Sequence, residues 1–207
     1  MQHLKVYWIS VGWISMADKI DKILEENLNW KTRSSFFSYV RGGIRSGLWN
    51  KSPIKLNYIK EKRIQIPNPN ERGNKPTVWG AECNICEGLF PLKDMNVDHI
   101  RDTGSSLKTI DDIQQFIEDI VIVTKDELRL VCKGCHNIES YRQKHNMTFN
   151  EARVHKEVIE LCKDKQKVVD KLSSYGVEYI PTTAKARREM LTQIMLKELE
   201  NDREYNK

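Results

Sequence analysis

Two short cysteine pairs, CNIC at 83–86 and CKGC at 132–135, constrain this chain more than any other feature. Each CxxC supplies two sulfurs from one tight turn, and tetrahedral Zn²⁺ takes four such soft ligands. Cys83, Cys86, Cys132 and Cys135 are therefore the expected ligands of a structural zinc ion that staples two distant stretches together. The 45 residues between the pairs exceed the roughly 15–20 of a simple zinc ribbon, so structure must be inserted between the knuckles. A thiol oxidoreductase is the competing reading. It would require one CxxC opening a helix in a thioredoxin-like unit, and duplicated knuckles fit that poorly. The fifth cysteine, Cys162, sits among Val158 and Leu161 and reads as a small core residue.

The 207 residues carry a net charge of +5, and the distribution is uneven. Residues 31–75 hold eleven Lys and Arg against Glu61 and Glu71 alone. Such a block is a footprint for a polyanion, because each phosphate neutralised releases condensed counterions. Arg33, Arg41, Arg45, Lys51 and Lys55 are the expected phosphate contacts, interleaved with Phe36, Phe37, Tyr39 and Trp49, which serve equally well as core. The longest apolar run, at 6–16, is too short to span a bilayer, and no export signal follows it, so no membrane association and a reducing, cytoplasmic setting are expected. Met16 is a candidate alternative start, which leaves residues 1–15 as the part least bound to the fold.

Helical spacing of Ile20, Ile23, Leu24 and Leu28 predicts a first helix over 17–29. A second should follow in TRSSFFSYVRGGIRSGLW, ending near Gly42 and Gly43, and a third should open at Ser52 with Pro53 in its first turn. IPNPNERGNKP reads as a linker at 66–77, dividing a basic helical region (1–65) from a central unit (78–147). Within that unit a strand should end in VDHI, a short helix capped by Thr109 should bury Ile110, Ile113, Ile117 and Ile120, and VIVT resembles a strand. The C-terminal region (148–207) opens with the capping box TFNE on a helix expected to reach about Leu172. A last helix should start at Pro181–Thr183 and bury Met190, Leu191, Ile194 and Met195.

The insertion between the knuckles contains Asp98 and His99, and His136 follows the second knuckle directly. If one ion draws the knuckles together, a carboxylate and an imidazole can face each other and bind a second, divalent ion with positions left open. ECNIC, VDHI and ELRLVCKGCHN together resemble the HNH endonuclease motif in its zinc-knuckle variant, over about residues 78–142. The resemblance implies a mainly helical α+β chain whose ββα-metal (HNH) core is stapled by a four-cysteine zinc site and flanked by N- and C-terminal helical regions. It implies His99 as the general base that activates water, and Asp98 and His136 as ligands of a catalytic divalent ion, Mg²⁺ or Mn²⁺, with Zn²⁺ or Ni²⁺ as alternatives. The flanking segments look similar to those of small phage HNH proteins, some of them homing endonucleases. A phage origin would place the protein in the host cell cytoplasm.

Two positions depart from that pattern. Glu127 stands where the family usually has an Asn that fastens the loop orienting the catalytic His, so the amide donor is lost and a charge is gained. The stretch from His99 to Glu127 is also long, filled by TIDDIQQFIEDI. Arg101, beside the Asp-His pair, could stabilise charge on phosphate or simply be solvated; His3, His145 and His155 read as ordinary histidines. The expected function is metal-dependent hydrolysis of double-stranded DNA phosphodiesters, one strand at a time from a monomer. The alternative is a zinc-organised nucleic-acid-binding module with weak or no catalysis.

Overall fold

A computed structural model describes residues 16–27, 30–101 and 107–205. Residues 1–15, including His3, and Leu28 of the first expected helix lie outside the described residues. The chain is mixed α+β with two small sheets. It divides into two compact units: Met1–Tyr58 with Thr103–Glu127, and Ile59–Asp102 with Leu128–Lys207.

In the first unit, α1 (Met16–Glu26) and α2 (Arg33–Gly47) lead into a 3-10 turn (Trp49–Lys51), and α3 (Pro53–Lys62) begins. Thr32 caps α2 through a reciprocal box with Ser35. The expected stop at Gly42 and Gly43 does not occur: both lie inside α2, in open space, where glycine costs roughly 1 kcal/mol each and need not end a helix. Pro53 occupies the first position of α3, as its fixed φ favours. Helix α4 (Asp112–Ile120) buries Phe116 and Ile120. Thr109 does not cap it; instead the Asp112 carboxylate accepts from the backbone N–H groups of Lys108 and Thr109, both at 2.8 Å. Residues 121–124 are turn and irregular chain rather than the expected strand, with Val123 buried and Ile122 exposed. β-branched residues favour a strand only where a partner edge is offered, and none is paired here.

In the second unit, β1 (Ile64–Pro67), β2 (Thr77–Glu82) and β3 (Leu89–Pro91) form an antiparallel sheet in that order. The stretch expected as a linker at 66–77 is therefore a hairpin connection within one unit. Pro67 is tolerated because β1 is an edge strand. Asn68 orders the loop: its backbone N–H donates to the Pro76 carbonyl, its side-chain amide donates to the Lys75 carbonyl, and its Oδ1 accepts from Asn70. On β2, a Cβ at Gly80 would meet the Phe90 carbonyl at 2.6 Å, so only glycine fits.

Strands β4 (Met95–His99) and β5 (Leu128–Cys132) pair antiparallel, with Asp98 opposite Arg129 and His99 opposite Leu128. Helix α5 (Lys133–His145) follows without a break, capped at its start by the Cys132 sulfur and at its end by Asn146 in the left-handed region. The chain continues through α6 (Phe149–Leu161), α7 (Lys165–Ser174) and α8 (Ala184–Tyr205). The helix expected to run from 148 to 172 is broken at Cys162–Asp164, because the Asp164 carboxylate caps a new helix by accepting from Gln166 N–H at 2.9 Å. The fold-back lets Val154, Val158, Val168, Leu172, Leu191 and Met195 share one core, with Cys162 packed against it. Among the described residues no helix is long and apolar enough to cross a membrane.

Candidate metal centres

The first centre is built by two knuckles that dock on each other. In the first, Cys83 N–H donates to the Gly88 carbonyl and Glu87 N–H to the Cys83 carbonyl, which closes the turn and forces Glu87 to φ 59°. This knuckle is tied to β5: Asn84 N–H donates to the Leu130 carbonyl at 2.8 Å, and Leu130 N–H returns a bond to Asn84 Oδ1 at 3.0 Å. The second knuckle is the junction of β5 and α5. The four sulfurs consequently lie within 4.8 Å of one another, with Cys86 and Cys132 at 4.0 Å. Four Zn–S bonds of about 2.3 Å in a tetrahedron require sulfur separations of about 3.8 Å, so closure onto an ion needs shifts under about 1 Å.

The sulfurs are also electrostatically prepared for a cation. Burial pushes the Cys83 thiol up, but the backbone N–H groups of Cys132, Cys86 and Ile85 outweigh it and pull Cys83 down to about 7. Burial, together with the Cys132 and Cys86 sulfurs, raises Cys135. The Gly88 N–H favours the Cys86 thiolate, but burial and the Cys83 sulfur together outweigh it and raise Cys86. One sulfur ionises readily and discourages its neighbours, a conflict that a shared cation removes. These four cysteines can hold a structural metal ion such as zinc.

Asp98 and His136, the expected ligands of a second ion, lie on the β4–β5–α5 unit. Asp98 Oδ1 stands 3.9 Å from His136 Nε2. The two side chains offer a hard oxygen and a borderline nitrogen, and two ligand bonds of about 2.1 Å would have to open to about 135° to span that gap, wider than tetrahedral or cis-octahedral geometry, so a shared cation would have to draw them closer. The other carboxylate oxygen is already engaged: Arg129 donates to Asp98 Oδ2 from Nε at 3.0 Å and from Nη2 at 2.8 Å. Arg129 Nη2 also lies 3.2 Å from Glu139 Oε1, which Arg142 Nη2 approaches at 3.0 Å. The Asp98, Arg129 and Glu139 side chains are 14%, 20% and 10% exposed, so this alternating-charge chain is largely shielded from water.

His99 is the last residue of β4 and half-buried. Glu127 closes the 3-10 turn Lys125–Glu127 immediately before β5, and its Oε2 accepts from Thr124 N–H at 2.8 Å and from Thr124 Oγ1 at 3.0 Å. It fastens its own turn as an acceptor. Arg101 is exposed.

The expected phosphate contacts fare unequally. Arg33 is committed to a two-pronged ion pair with Asp21, at 2.9 and 2.6 Å. Arg45 is exposed, its guanidinium 5.8 Å from the Phe116 ring, and partial desolvation followed by Arg41 lowers its pKa. Lys55 donates to Asn50 Oδ1 at 2.7 Å and lies over Trp49. Arg41 donates to Ser38 Oγ, and Lys51 is exposed. Sequence reasoning missed Arg129, Glu139 and Arg142. The signal for the first was present: LRLVC places one cation in an otherwise apolar strand, where an unpaired charge would be costly. Compared with protein-family models, curated proteins and solved structures, the chain matches none.

Proposed function

We propose that this protein is a divalent-ion-dependent DNA endonuclease of the HNH type that nicks double-stranded DNA, with β4, β5 and α5 as its ββα-metal core. The observation that carries the reading is the approach of Asp98 Oδ1 and His136 Nε2 to 3.9 Å on a unit braced by four clustered cysteines. Asp98 and His136 would hold the ion. When bound there, a divalent cation supplies Lewis-acid polarisation of a phosphate oxygen and offsets the charge that gathers in the transition state. An imidazole nitrogen of His99 would take the proton of a water whose oxygen bonds to phosphorus as the bond to the 3′ oxygen breaks. Glu127 would steady the turn that leads into β5. Exposed Lys51 and Arg101 would meet the DNA backbone, whereas Arg33 is paired with Asp21 at the surface and Lys55 donates to Asn50. The phage or homing context implied by the motif belongs to the same proposal.

A second reading, a zinc-organised DNA-binding module without catalysis, is favoured by the hold of Arg129 on Asp98 and by the commitment of Glu127 to Thr124. A supercoiled-plasmid relaxation assay with Mg²⁺ or Mn²⁺ separates the two. Wild type should nick, and His99→Ala should lose about 10²–10⁴-fold in rate while keeping DNA affinity. DNA binding without metal-dependent nicking in the wild type would establish the second reading instead.

A further inference from the structure

We infer that Arg129 is a positioning residue for the Asp98–His136 pair, itself held by Glu139, which Arg142 also engages. The inference rests on the proposed metal-ion reading of that pair. Three facts combine. Arg129 sits directly across the β4–β5 ladder from Asp98, so the backbone register fixes their separation. Both of its donors fall on one oxygen, Oδ2, leaving Oδ1 as the oxygen turned to His136. Glu139 lies three residues after His136 in α5, so its grip on Arg129 ties β5 to the helix carrying His136 and, through Arg129, links that helix to Asp98 on β4.

The consequence is a carboxylate that can offer one oxygen only, in a rotamer it does not choose for itself. Carboxylate ligands of metal ions are held in this way by hydrogen bonds from outside the ligand set, and losing such a bond typically costs about 10–100-fold in metal affinity or activity. A guanidinium is unusual in that role because its charge opposes a cation. That opposition makes the inference testable by sign. If Arg129 were merely a nearby charge, removing it would tighten binding of a divalent ion. If it positions Asp98, removing it weakens binding.

The experiment is calorimetric titration of Mn²⁺ into the zinc-loaded full chain, with zinc content and thermal melting as controls for folding. Arg129→Met should weaken Mn²⁺ binding by about 10–100-fold. Arg129→Lys keeps the charge but loses the two-donor fork and should also weaken binding. Glu139→Gln should give a smaller loss in the wild-type background and none in the Arg129→Met background, because Glu139 acts through Arg129. Should Arg129→Met fail to fold, Arg129→Lys and Glu139→Gln carry the same test. Tighter or unchanged Mn²⁺ binding in Arg129→Met, or wild-type affinity in Arg129→Lys, would overturn the inference while leaving the metal site standing, provided Asp98→Ala abolishes binding. No Mn²⁺ binding by the wild type, or binding indifferent to Asp98→Ala, would overturn the metal-site reading together with it.

Discussion

Cys86 offers a clean way to weigh the zinc staple. It is exposed, whereas Cys83, Cys132 and Cys135 are buried, so Cys86→Ser removes a ligand without opening a cavity. Two thiolates 4.0 Å apart, as Cys86 and Cys132 stand, repel by about 4 kcal/mol at an effective dielectric of 20. Without an ion the Cys86 and Cys135 thiols are raised and hold their protons beside the readier Cys83. Structural zinc in Cys-rich sites contributes about 10–16 kcal/mol of apparent binding free energy near neutral pH. Shared among four ligands, that is roughly 3 kcal/mol for Cys86. For a unit of this size each kcal/mol shifts Tm by about 4 °C, so Cys86→Ser should melt about 12 °C lower. Scanning calorimetry with and without a chelator, beside elemental analysis, reads both quantities. The wild type should contain about one zinc per chain and lose stability on chelation. A zinc-free wild type, or a Cys86→Ser protein melting within about 2 °C of it with no response to chelator, would refute this reasoning.

Three further outcomes are expected. Leu191→Ala, at a fully buried position in the core of α6, α7 and α8, should cost about 2–5 kcal/mol in urea unfolding, and a loss below about 1 kcal/mol would show that the helices do not share that core. Glu87 bears a positive φ of 59°, which glycine adopts without strain, so Glu87→Gly should stabilise the knuckle by about 0.5–1 kcal/mol and raise Tm by a few degrees. Burial first, then the 2.7 Å bond donated by Tyr175 Oη to Glu198, raises the Tyr175 pKa from 10.0 to about 12. Because the folded value is the higher one, the contribution is complete below pH 10 and is lost as pH climbs toward 12. Solvent screening keeps it under about 1 kcal/mol, and Tyr175→Phe should flatten the alkaline decline in stability over that window.

The centres were legible to different depths, for physical reasons. The four cysteines could be read directly because two ligands within one tight turn are a local signal. Asp98 and His136 could be paired from sequence only on the condition that one ion draws the knuckles together, and their 3.9 Å approach needed the β4–β5 register and the start of α5 to be fixed first. Arg129, Glu139 and Arg142 could not be paired from sequence, since Arg129 meets Asp98 across 31 positions of chain. Proline and asparagine at 67–70 correctly signal a change of direction, but only strand pairing decides between a linker and a hairpin. VIVT carries strand propensity without an edge to join. The break at Cys162–Asp164 was hidden because the apolar spacing continues through it, and the Asp164 cap outweighs that periodicity.

The most direct test of the central claim, a catalytic ion held by Asp98 and His136, is anomalous diffraction from crystals soaked in Mn²⁺. A manganese peak is expected between Asp98 Oδ1 and His136 Nε2, within about 2.3 Å of each, while Arg129 still holds Oδ2. A peak bound elsewhere, or none beside a fully occupied zinc cluster, would contradict it.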